Sequence, residues 1–259
     1  MSRTLVSRLT KSALALAVAA GLAATIAGPA AAVANGEIVP EGQYRFSVKL
    51  TMTGIPTADG GRRDSACSGA LIAPQWVVTA GHCFRDYTGT RVERPVADLT
   101  TATVGRADLS GDNGTVRTVV AVRQSPTNDL ALAKLDAPVR GIAPVALSKR
   151  APKAGDLVRL TGYGAVDSVA PTPSTVLRTG QFRVTEIAES TIGVTGHQPA
   201  ADTSACPYDS GAPYFLEPKY GPPKLISVES FGPGCPHADV ETTSRIDNIL
   251  GWIWQAMRG

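Results

Sequence analysis

The sequence lacks an apolar run long enough for a membrane-spanning helix, which needs about 20 residues. Its longest apolar stretch is the 15 residues from Ala13 to Ala27. It also lacks a basic patch with interleaved aromatic residues, and it has no spacing of Cys and His suited to zinc. These absences predict a protein without a membrane anchor, a nucleic-acid partner, a metal ion or a cofactor.

The first 32 residues have the pattern of a secretory signal peptide. Arg3, Arg8 and Lys11 form a basic start without acidic residues, the apolar stretch follows, and small residues end the segment at 28–32. Without these three basic residues, 22 Lys and Arg remain against 22 Asp and Glu, so the formal charge of +3 belongs to this segment. We expect a secreted, extracellular protein that keeps no anchor after cleavage.

Frequent glycine and proline exclude a protein built from long helices. The chain contains 26 Gly and 19 Pro, while its 43% hydrophobic residues suffice for a large core. Short apolar runs lie between turn-forming clusters and predict an all-β protein. These runs are 76–79, 116–122, 157–160 and 225–228. The final segment, 245–257, instead has apolar residues at helical spacing and predicts one amphipathic terminal helix.

Three polar side chains follow one another in an order that suits nucleophilic acyl transfer. His82 stands in Thr-Ala-Gly-His-Cys, Asp129 in Asn-Asp-Leu-Ala-Leu, and Ser210 in Cys-Pro-Tyr-Asp-Ser-Gly-Ala-Pro. A serine hydroxyl is a poor nucleophile unless an imidazole accepts its proton. The imidazole in turn needs a carboxylate that fixes its tautomer and stabilises its charged form.

Five blocks of sequence together resemble the trypsin/chymotrypsin family of serine proteases. They are CSGALIAPQWVVTAGHC at 67–83, DLALAKL at 129–135, TGYG at 161–164, CPYDSGAP at 206–213 and SFGPGC at 230–235. The resemblance extends over residues 33–259. A signal peptide without an evident propeptide makes the chain similar to the bacterial members.

The resemblance implies two six-stranded antiparallel β-barrels, a C-terminal α-helix, and a catalytic cleft between the barrels. The expected divisions are a signal peptide at 1–32, an N-terminal barrel at 33–140, and a C-terminal barrel with the terminal helix at 141–259. We expect protein or peptide substrates, protein protease inhibitors as a second class of partner, and a monomer.

The implied activity is that of a secreted serine endopeptidase that forms an acyl-enzyme. Ser210 would attack the peptide carbonyl, His82 would accept and return the proton, and Asp129 would orient His82. The backbone N–H groups of Tyr208 and Ser210 would bind the oxyanion. Because the family usually has glycine where Tyr208 stands, a catalytically weak homologue that acts as a secreted binding module is the second class of function.

The resemblance also pairs the four cysteines as Cys67 with Cys83 and Cys206 with Cys235. The first pair flanks the histidine segment, and the second pair flanks the serine segment. Four cysteines allow three pairings, so counting alone leaves the connectivity open. Disulfides persist in oxidising compartments, which agrees with export.

A further implication concerns activation by the N-terminus. In the family, a free apolar N-terminus pairs with the carboxylate directly before the nucleophile, which is Asp209 here. Cleavage after Ala32 would make Val33 the first mature residue and allow its amino group to pair with Asp209. Cleavage after Ala34 is the competing site.

The side-chain preference depends on a pocket with Ser204 at its floor. The resemblance forms its wall from Ser230, Phe231 and Gly232. A buried cation needs a carboxylate, so a serine floor favours uncharged, apolar or aromatic residues and a chymotrypsin-like or broad specificity. Asp239 or Glu241 could instead reach the pocket from the opposite wall, and trypsin-like cleavage after Lys and Arg is therefore the alternative.

Overall fold

The computed structural model describes Met1 and residues 33–259. The predicted signal peptide at 1–32 therefore lies outside the described residues, apart from Met1. In the described part of the chain, no helix is both long and apolar enough to cross a membrane.

The described residues form an all-β protein with one short α-helix, as predicted. The strands are β1 (Glu37–Ile38), β2 (Ser47–Pro56), β3 (Arg62–Ala73), β4 (Trp76–Thr79), β5 (Leu99–Val104), β6 (Thr115–Gln124), β7 (Ala131–Leu135), β8 (Ala146–Leu147), β9 (Leu157–Gly162), β10 (Arg178–Ile187), β11 (Thr191–Gln198), β12 (Pro213–Leu216), β13 (Lys224–Phe231) and β14 (Glu241–Arg245). Short 3₁₀ segments occupy Gly81–Phe84 and Asp247–Ile249, and helix α1 covers Leu250–Ala256. All four predicted apolar runs lie in strands.

Strands β2 to β7 close into the first barrel in the order β2-β3-β4-β7-β6-β5. Alternate residues of β5 show why such segments form barrel strands, because Thr100, Ala102 and Val104 are buried while their neighbours are more exposed. Leu50 and Leu132 are fully buried in the same core. The antiparallel pairing of all six strands confirms the predicted first barrel.

The second barrel is the closed ring β9-β10-β11-β14-β13-β12, and its neighbouring strands are antiparallel. Two short strands extend this sheet, since β1 pairs with β10 and β8 pairs in parallel with β13. Phe182 and Tyr214 pack edge to face in the core with ring centroids 5.2 Å apart. The predicted arrangement of two six-stranded barrels is therefore confirmed.

The two barrels pack directly against each other. The Phe46 ring of the first barrel meets the Phe215 ring of the second edge to face, with centroids 5.1 Å apart. The hydroxyls of Ser47 and Thr161 share a buried hydrogen bond of 2.8 Å. The segment between β7 and β8 connects the two barrels, and the boundary expected between residues 140 and 141 falls within it.

The terminal helix is shorter than predicted. The sequence indicated a helix over 245–257, but Arg245 is still paired with Ser227 in the sheet, and a 3₁₀ turn precedes α1. The apolar face itself is as expected, because Ile246 and Ile253 are fully buried. They belong to the same apolar cluster as the first-barrel core, so the C-terminal segment fastens the two barrels together.

Candidate active site

The structure brings His82, Asp129 and Ser210 together between the barrels. His82 Nδ1 lies 2.7 Å from Asp129 Oδ2, and His82 Nε2 lies 2.8 Å from Ser210 Oγ. The backbone N–H of His82 also donates to Asp129 Oδ1 at 2.9 Å. The imidazole is thus held between a carboxylate and a hydroxyl, the geometry needed to move a proton from the serine.

Different elements supply the three side chains. His82 lies in the 3₁₀ segment directly after β4, Asp129 lies in the loop between β6 and β7, and Ser210 lies in the turn before β12. The disulfide Cys67–Cys83 joins the histidine segment to β3, with Cα atoms 6.5 Å apart. First-barrel elements therefore carry the imidazole and the carboxylate, whereas the second barrel carries the hydroxyl.

Several groups favour the ionised form of Asp129. Burial by itself would raise the pKa of this carboxyl group. The hydrogen bond and charge of His82, together with the Ser230 hydroxyl, outweigh burial and lower the pKa to about 2. Ser230 Oγ donates to Asp129 Oδ2 at 2.7 Å, so this predicted pocket residue also contacts the carboxylate. Asp129 is consequently charged at every pH at which the fold is expected to operate.

Two residues around Asp129 were not singled out from the sequence. The side-chain amide of Asn128 donates to the carbonyl of Arg245 at 2.9 Å, which ties the aspartate loop to the second barrel. The guanidinium of Arg91 donates to the Asn128 carbonyl at 2.8 Å and lies 3.7 Å from Asp129 Oδ1. Asn128 stands next to the recognised aspartate block, but nothing in the sequence indicates the cross-barrel contact.

At one position, the serine turn has a backbone conformation that only glycine adopts without strain. Gly211 has φ of +82°, and a Cβ there would overlap Thr79 Oγ1 and the Ser68 carbonyl. This close approach lets the Ser68 N–H donate to the Ser210 carbonyl at 2.9 Å. The candidate nucleophile is thereby fixed to β3 of the first barrel.

Two backbone N–H groups of the serine turn are oriented by their neighbouring carbonyls. The Pro207 carbonyl accepts from Ala165 N at 2.8 Å, and the Asp209 carbonyl accepts from Ala212 N at 2.7 Å. In a trans peptide the C=O and N–H point in opposite directions, so the N–H groups of Tyr208 and Ser210 turn away from these bonds. Among the described residues, neither N–H donates to a protein acceptor.

Tyr208 adopts a conformation that favours glycine. Its φ is +76°, in the left-handed region, which costs a residue with a side chain roughly 1–2 kcal/mol. Its carbonyl accepts from Ser68 Oγ at 3.1 Å, and its hydroxyl donates to the Pro171 carbonyl at 3.4 Å. Tyr208 thus has a backbone conformation that glycine adopts more readily, and contacts to both barrels hold it there.

Asp209 is fully buried directly before the candidate nucleophile. Its carboxylate accepts from Gly164 N at 2.8 Å and Cys206 N at 3.1 Å, and the backbone N–H of Val33 also hydrogen-bonds to it. Burial raises its pKa to about 7, against these hydrogen bonds and the positive charge of Lys49. Val33 is itself fully buried in the second-barrel core, so the structure brings the predicted pair together.

A pocket of about 360 Å³ opens beside Ser210. The predicted wall residues Ser230, Phe231 and Gly232 line it, together with Glu229 and Glu241. The predicted floor residue Ser204 does not line the pocket. It is only 1% exposed, and its hydroxyl accepts from the His237 N–H at 3.2 Å.

Glu241 brings a carboxyl group into this pocket. Oε1 accepts from Ala205 N at 2.8 Å, and Oε2 lies so close to Gly232 that a Cβ at Gly232 would overlap it. Burial raises the pKa of Glu241 to about 8, opposed by the Ala205 hydrogen bond and reinforced by the charge of Asp209. Asp239, the other acid considered from the sequence, is exposed and does not line the pocket.

Two other groups surround Glu241. The buried Glu229 was not predicted as a pocket residue, and its carboxylate accepts from the Tyr214 hydroxyl at 2.9 Å. Burial and the charge of Glu241 raise the pKa of Glu229 well above its usual range. His237 Nε2 lies 3.0 Å from Glu241 Oε1, and burial lowers the pKa of this imidazole. The pocket is therefore lined by two carboxyl groups, those of Glu229 and Glu241, and both side chains are almost fully buried.

A second, larger cavity of about 630 Å³ continues from Ser210 on the other side of His82. The two cavities share Pro207 and Ser210, so an extended chain can pass the serine and fill both. The disulfide Cys206–Cys235 closes the serine segment against the pocket wall, with Cα atoms 5.4 Å apart. Within the described residues, no group of three or more His, Cys, Asp and Glu side chains is arranged to hold a metal ion.

Comparison with known proteins shows that the chain is similar to serine proteases. The family model described as Trypsin matches residues 33–253. The chain is 28% identical over 245 residues to serine protease SP24D of Anopheles gambiae, covering 88% of this chain and 82% of that protein. It is 29% identical over 236 residues to the proclotting enzyme of Tachypleus tridentatus, covering 80% and 62%. For transmembrane protease serine 9 of Rattus norvegicus the identity is 25% over 258 residues, covering 87% and 22%.

Proposed function

The chain belongs to the trypsin family and is a serine endopeptidase, and on that premise we propose that it is secreted and cleaves proteins after Lys and Arg through His82, Asp129 and Ser210. The observation that carries the proposal is the continuous contact from carboxylate to imidazole to hydroxyl, with distances of 2.7 and 2.8 Å. The acidic pocket beside Ser210 supports the choice of substrate.

The proposed reaction begins with attack of Ser210 Oγ on the peptide carbonyl. His82 Nε2 accepts the hydroxyl proton and then donates it to the leaving amine, which yields an acyl-enzyme that water hydrolyses in the same way. Asp129 holds the His82 tautomer and stabilises its charged form. The free N–H groups of Tyr208 and Ser210 stabilise the oxyanion, and removing one such donor typically costs 10²- to 10³-fold in turnover, roughly.

The proposed specificity departs from the neutral pocket expected from the sequence. A Lys or Arg side chain that leaves water needs a compensating charge in the pocket. Glu241 lines the cavity and brings a carboxyl group to it, whereas Ser204 does not line it and its hydroxyl accepts from the backbone N–H of His237. A bound cation favours the ionised form of Glu241, so substrate and carboxylate stabilise each other.

Labelling with a fluorophosphonate probe tests the proposed nucleophile. The secreted protein should react stoichiometrically at Ser210, and Ser210→Ala should abolish labelling without lowering the melting temperature. His82→Ala should slow labelling strongly, because the serine loses its base. A folded wild-type protein that does not react would contradict the proposal and support the binding-module alternative.

Profiling with a peptide library tests the specificity. We expect cleavage after Lys and Arg, and we expect Glu241→Gln to reduce it selectively. Asp239→Asn is the matched control, because it removes an acid from the same segment that lies outside the pocket. Cleavage confined to apolar or aromatic residues in the wild type would contradict the role of Glu241 and restore the neutral-pocket hypothesis.

A further inference from the structure

Lys49 is a buried lysine that the proposed reaction does not use. It lies in β2 of the first barrel and is only 4% exposed. Fully buried lysines are rare because the ammonium group loses its hydration. Nζ donates to the Tyr163 carbonyl at 2.9 Å, which satisfies one of its three donors. Its position therefore calls for a reason beyond packing.

The surroundings of the Lys49 ammonium group connect it to the oxyanion segment. Nζ lies 6.0 Å from the ring centroid of Tyr208 and 5.9 Å from that of Tyr163. A cation at this distance over an aromatic face is attracted by the ring. Asp209, which directly follows Tyr208, contributes its negative charge to the same region. Lys49 thus lies across the barrel junction from the Tyr208 ring and is affected by the charge of the next residue, Asp209.

Tyr208 is the residue of this segment that most needs support. It holds a left-handed backbone that glycine adopts freely but tyrosine does not. The hydrogen bond from Ser68 Oγ to the Tyr208 carbonyl holds its backbone. The hydrogen bond from the Tyr208 hydroxyl to the Pro171 carbonyl is long, at 3.4 Å. A ring fixed over the Lys49 ammonium group resists the rotation that would turn the Tyr208 N–H away.

We propose that Lys49 is a positioning residue that keeps the Tyr208 N–H directed at the oxyanion, by binding the Tyr208 ring from the first barrel. The inference rests on the proposed function, because it concerns the same reaction. It explains how a chain with tyrosine in place of the usual glycine retains two donors. Lys49 lines neither of the two cavities beside Ser210, so we expect its effect on the transition state and not on the binding of the ground state.

The test is a double-mutant cycle between Lys49 and Tyr208. Lys49→Met keeps the length of the side chain but removes the cation, and we expect kcat to fall at least about tenfold with KM nearly unchanged. In the Tyr208→Gly background, where no ring requires support, the same change should cost less than about threefold. Lys134→Met is the matched control, because Lys134 also lies over an aromatic ring, that of Trp76, but away from the cleft.

A second measurement separates positioning from general damage to the structure. A peptide aldehyde forms a tetrahedral adduct whose oxygen occupies the oxyanion site, whereas the corresponding peptide alcohol does not. Lys49→Met should weaken inhibition by the aldehyde at least about tenfold and leave inhibition by the alcohol unchanged. Lys49→Arg, which keeps a cation, should recover most of the lost turnover. Equal losses in both Tyr208 backgrounds, or equal weakening of both inhibitors, would overturn the proposal.

Tyr208→Leu keeps the proposal testable if Lys49→Met does not fold. It removes the aromatic face but keeps a side chain on the strained backbone, so kcat should fall about as far as in Lys49→Met. Turnover equal to the wild type would overturn the role of the ring. Failure of the proposed function looks different, because the wild-type protein itself would then be inert to substrate and to the fluorophosphonate probe.

Discussion

Replacing Glu241 by Gln gives the sharpest test of the specificity pocket. Glutamine has nearly the same shape and keeps an acceptor for the Ala205 N–H, which Oε1 now accepts at 2.8 Å. It cannot carry a charge, so a Lys or Arg side chain in the pocket would be buried without a partner. Breaking a buried ion pair in this way costs about 3 kcal/mol, which corresponds to a loss of about 10²-fold in kcat/KM for Lys and Arg substrates.

The pH dependence of cleavage after Lys gives a second quantitative prediction for Glu241. The pKa of Glu241 is about 8, so the carboxyl group is protonated below this pH and ionised above it. The ionised fraction in the free enzyme rises roughly 50-fold between pH 6 and pH 8. If only the ionised form accepts a cationic side chain, kcat/KM for a Lys substrate should rise by the same factor over this range, relative to a Phe substrate.

The assay compares two peptides that differ only in Lys or Phe before the cleaved bond. The ratio of their kcat/KM values cancels the pH dependence of the reaction steps that both peptides share. The ratio should rise with pH in the wild type and in Asp239→Asn, and it should be low and flat in Glu241→Gln. A flat ratio in the wild type, or a rising ratio in Glu241→Gln, would refute the assignment of Glu241.

The stability of the same variant follows from the sign of the pKa shift. Glu241 has a folded-state pKa above its ordinary value, so the folded state binds the proton more tightly than the unfolded state does. Ionisation of Glu241 therefore lowers the stability of the wild type as the pH rises from about 4.5 towards 8. Glu241→Gln should remove this contribution and melt at a higher temperature than the wild type at pH 8.

Three further predictions concern the other parts of the site. Asp129→Asn removes the charge that orients His82, so steady-state kinetics should show kcat about 10⁴-fold lower with a similar KM, and an unchanged kcat would exclude this role. Tyr208→Gly relieves the strained backbone but keeps its N–H, so we expect kcat within about threefold of the wild type, whereas a rise of tenfold or more would mean that the wild-type N–H misses the oxyanion. N-terminal sequencing of secreted, active protein should begin at Val33, and a start at Asn35 would contradict the pairing of a Val33 amino group with Asp209.

The parts that the sequence predicted well are those fixed by local chemistry. The blocks around His82, Asp129 and Ser210 consist of contiguous residues that each occupy one turn or strand end, so their order along the chain sufficed to identify them. Strand alternation and frequent turn residues are local properties and indicated an all-β protein, whereas the two barrels followed from the family resemblance. The disulfide pairs followed from the same blocks.

The pocket floor was less predictable because it depends on strand register. Ser204 and Glu241 lie far apart in sequence, and which of them faces the cavity depends on the pairing of β14 with β11 and β13. Glu241 pairs with Val194 at the start of β14, which turns its side chain into the pocket. A shift of one residue in the register of β14 would have turned the Glu241 side chain to the opposite face of the sheet. The amino-acid composition does not indicate which of the two registers forms.

An irregularity in the pairing of β13 connects the pocket to the catalytic groups. The pairing of β13 with β14 shifts between Glu229 and Phe231, and this shift leaves Ser230 as an extra residue in the ladder. A regular strand would place successive side chains on alternate faces, but the bulge redirects this part of the strand. Ser230 then contacts Asp129 of the first barrel and also lines the pocket, together with Glu229 and Phe231. Adjacent residues of β13 therefore connect the Asp129 carboxylate of the first barrel to the pocket of the second barrel. The relative position of the two barrels determines the geometry of both sites.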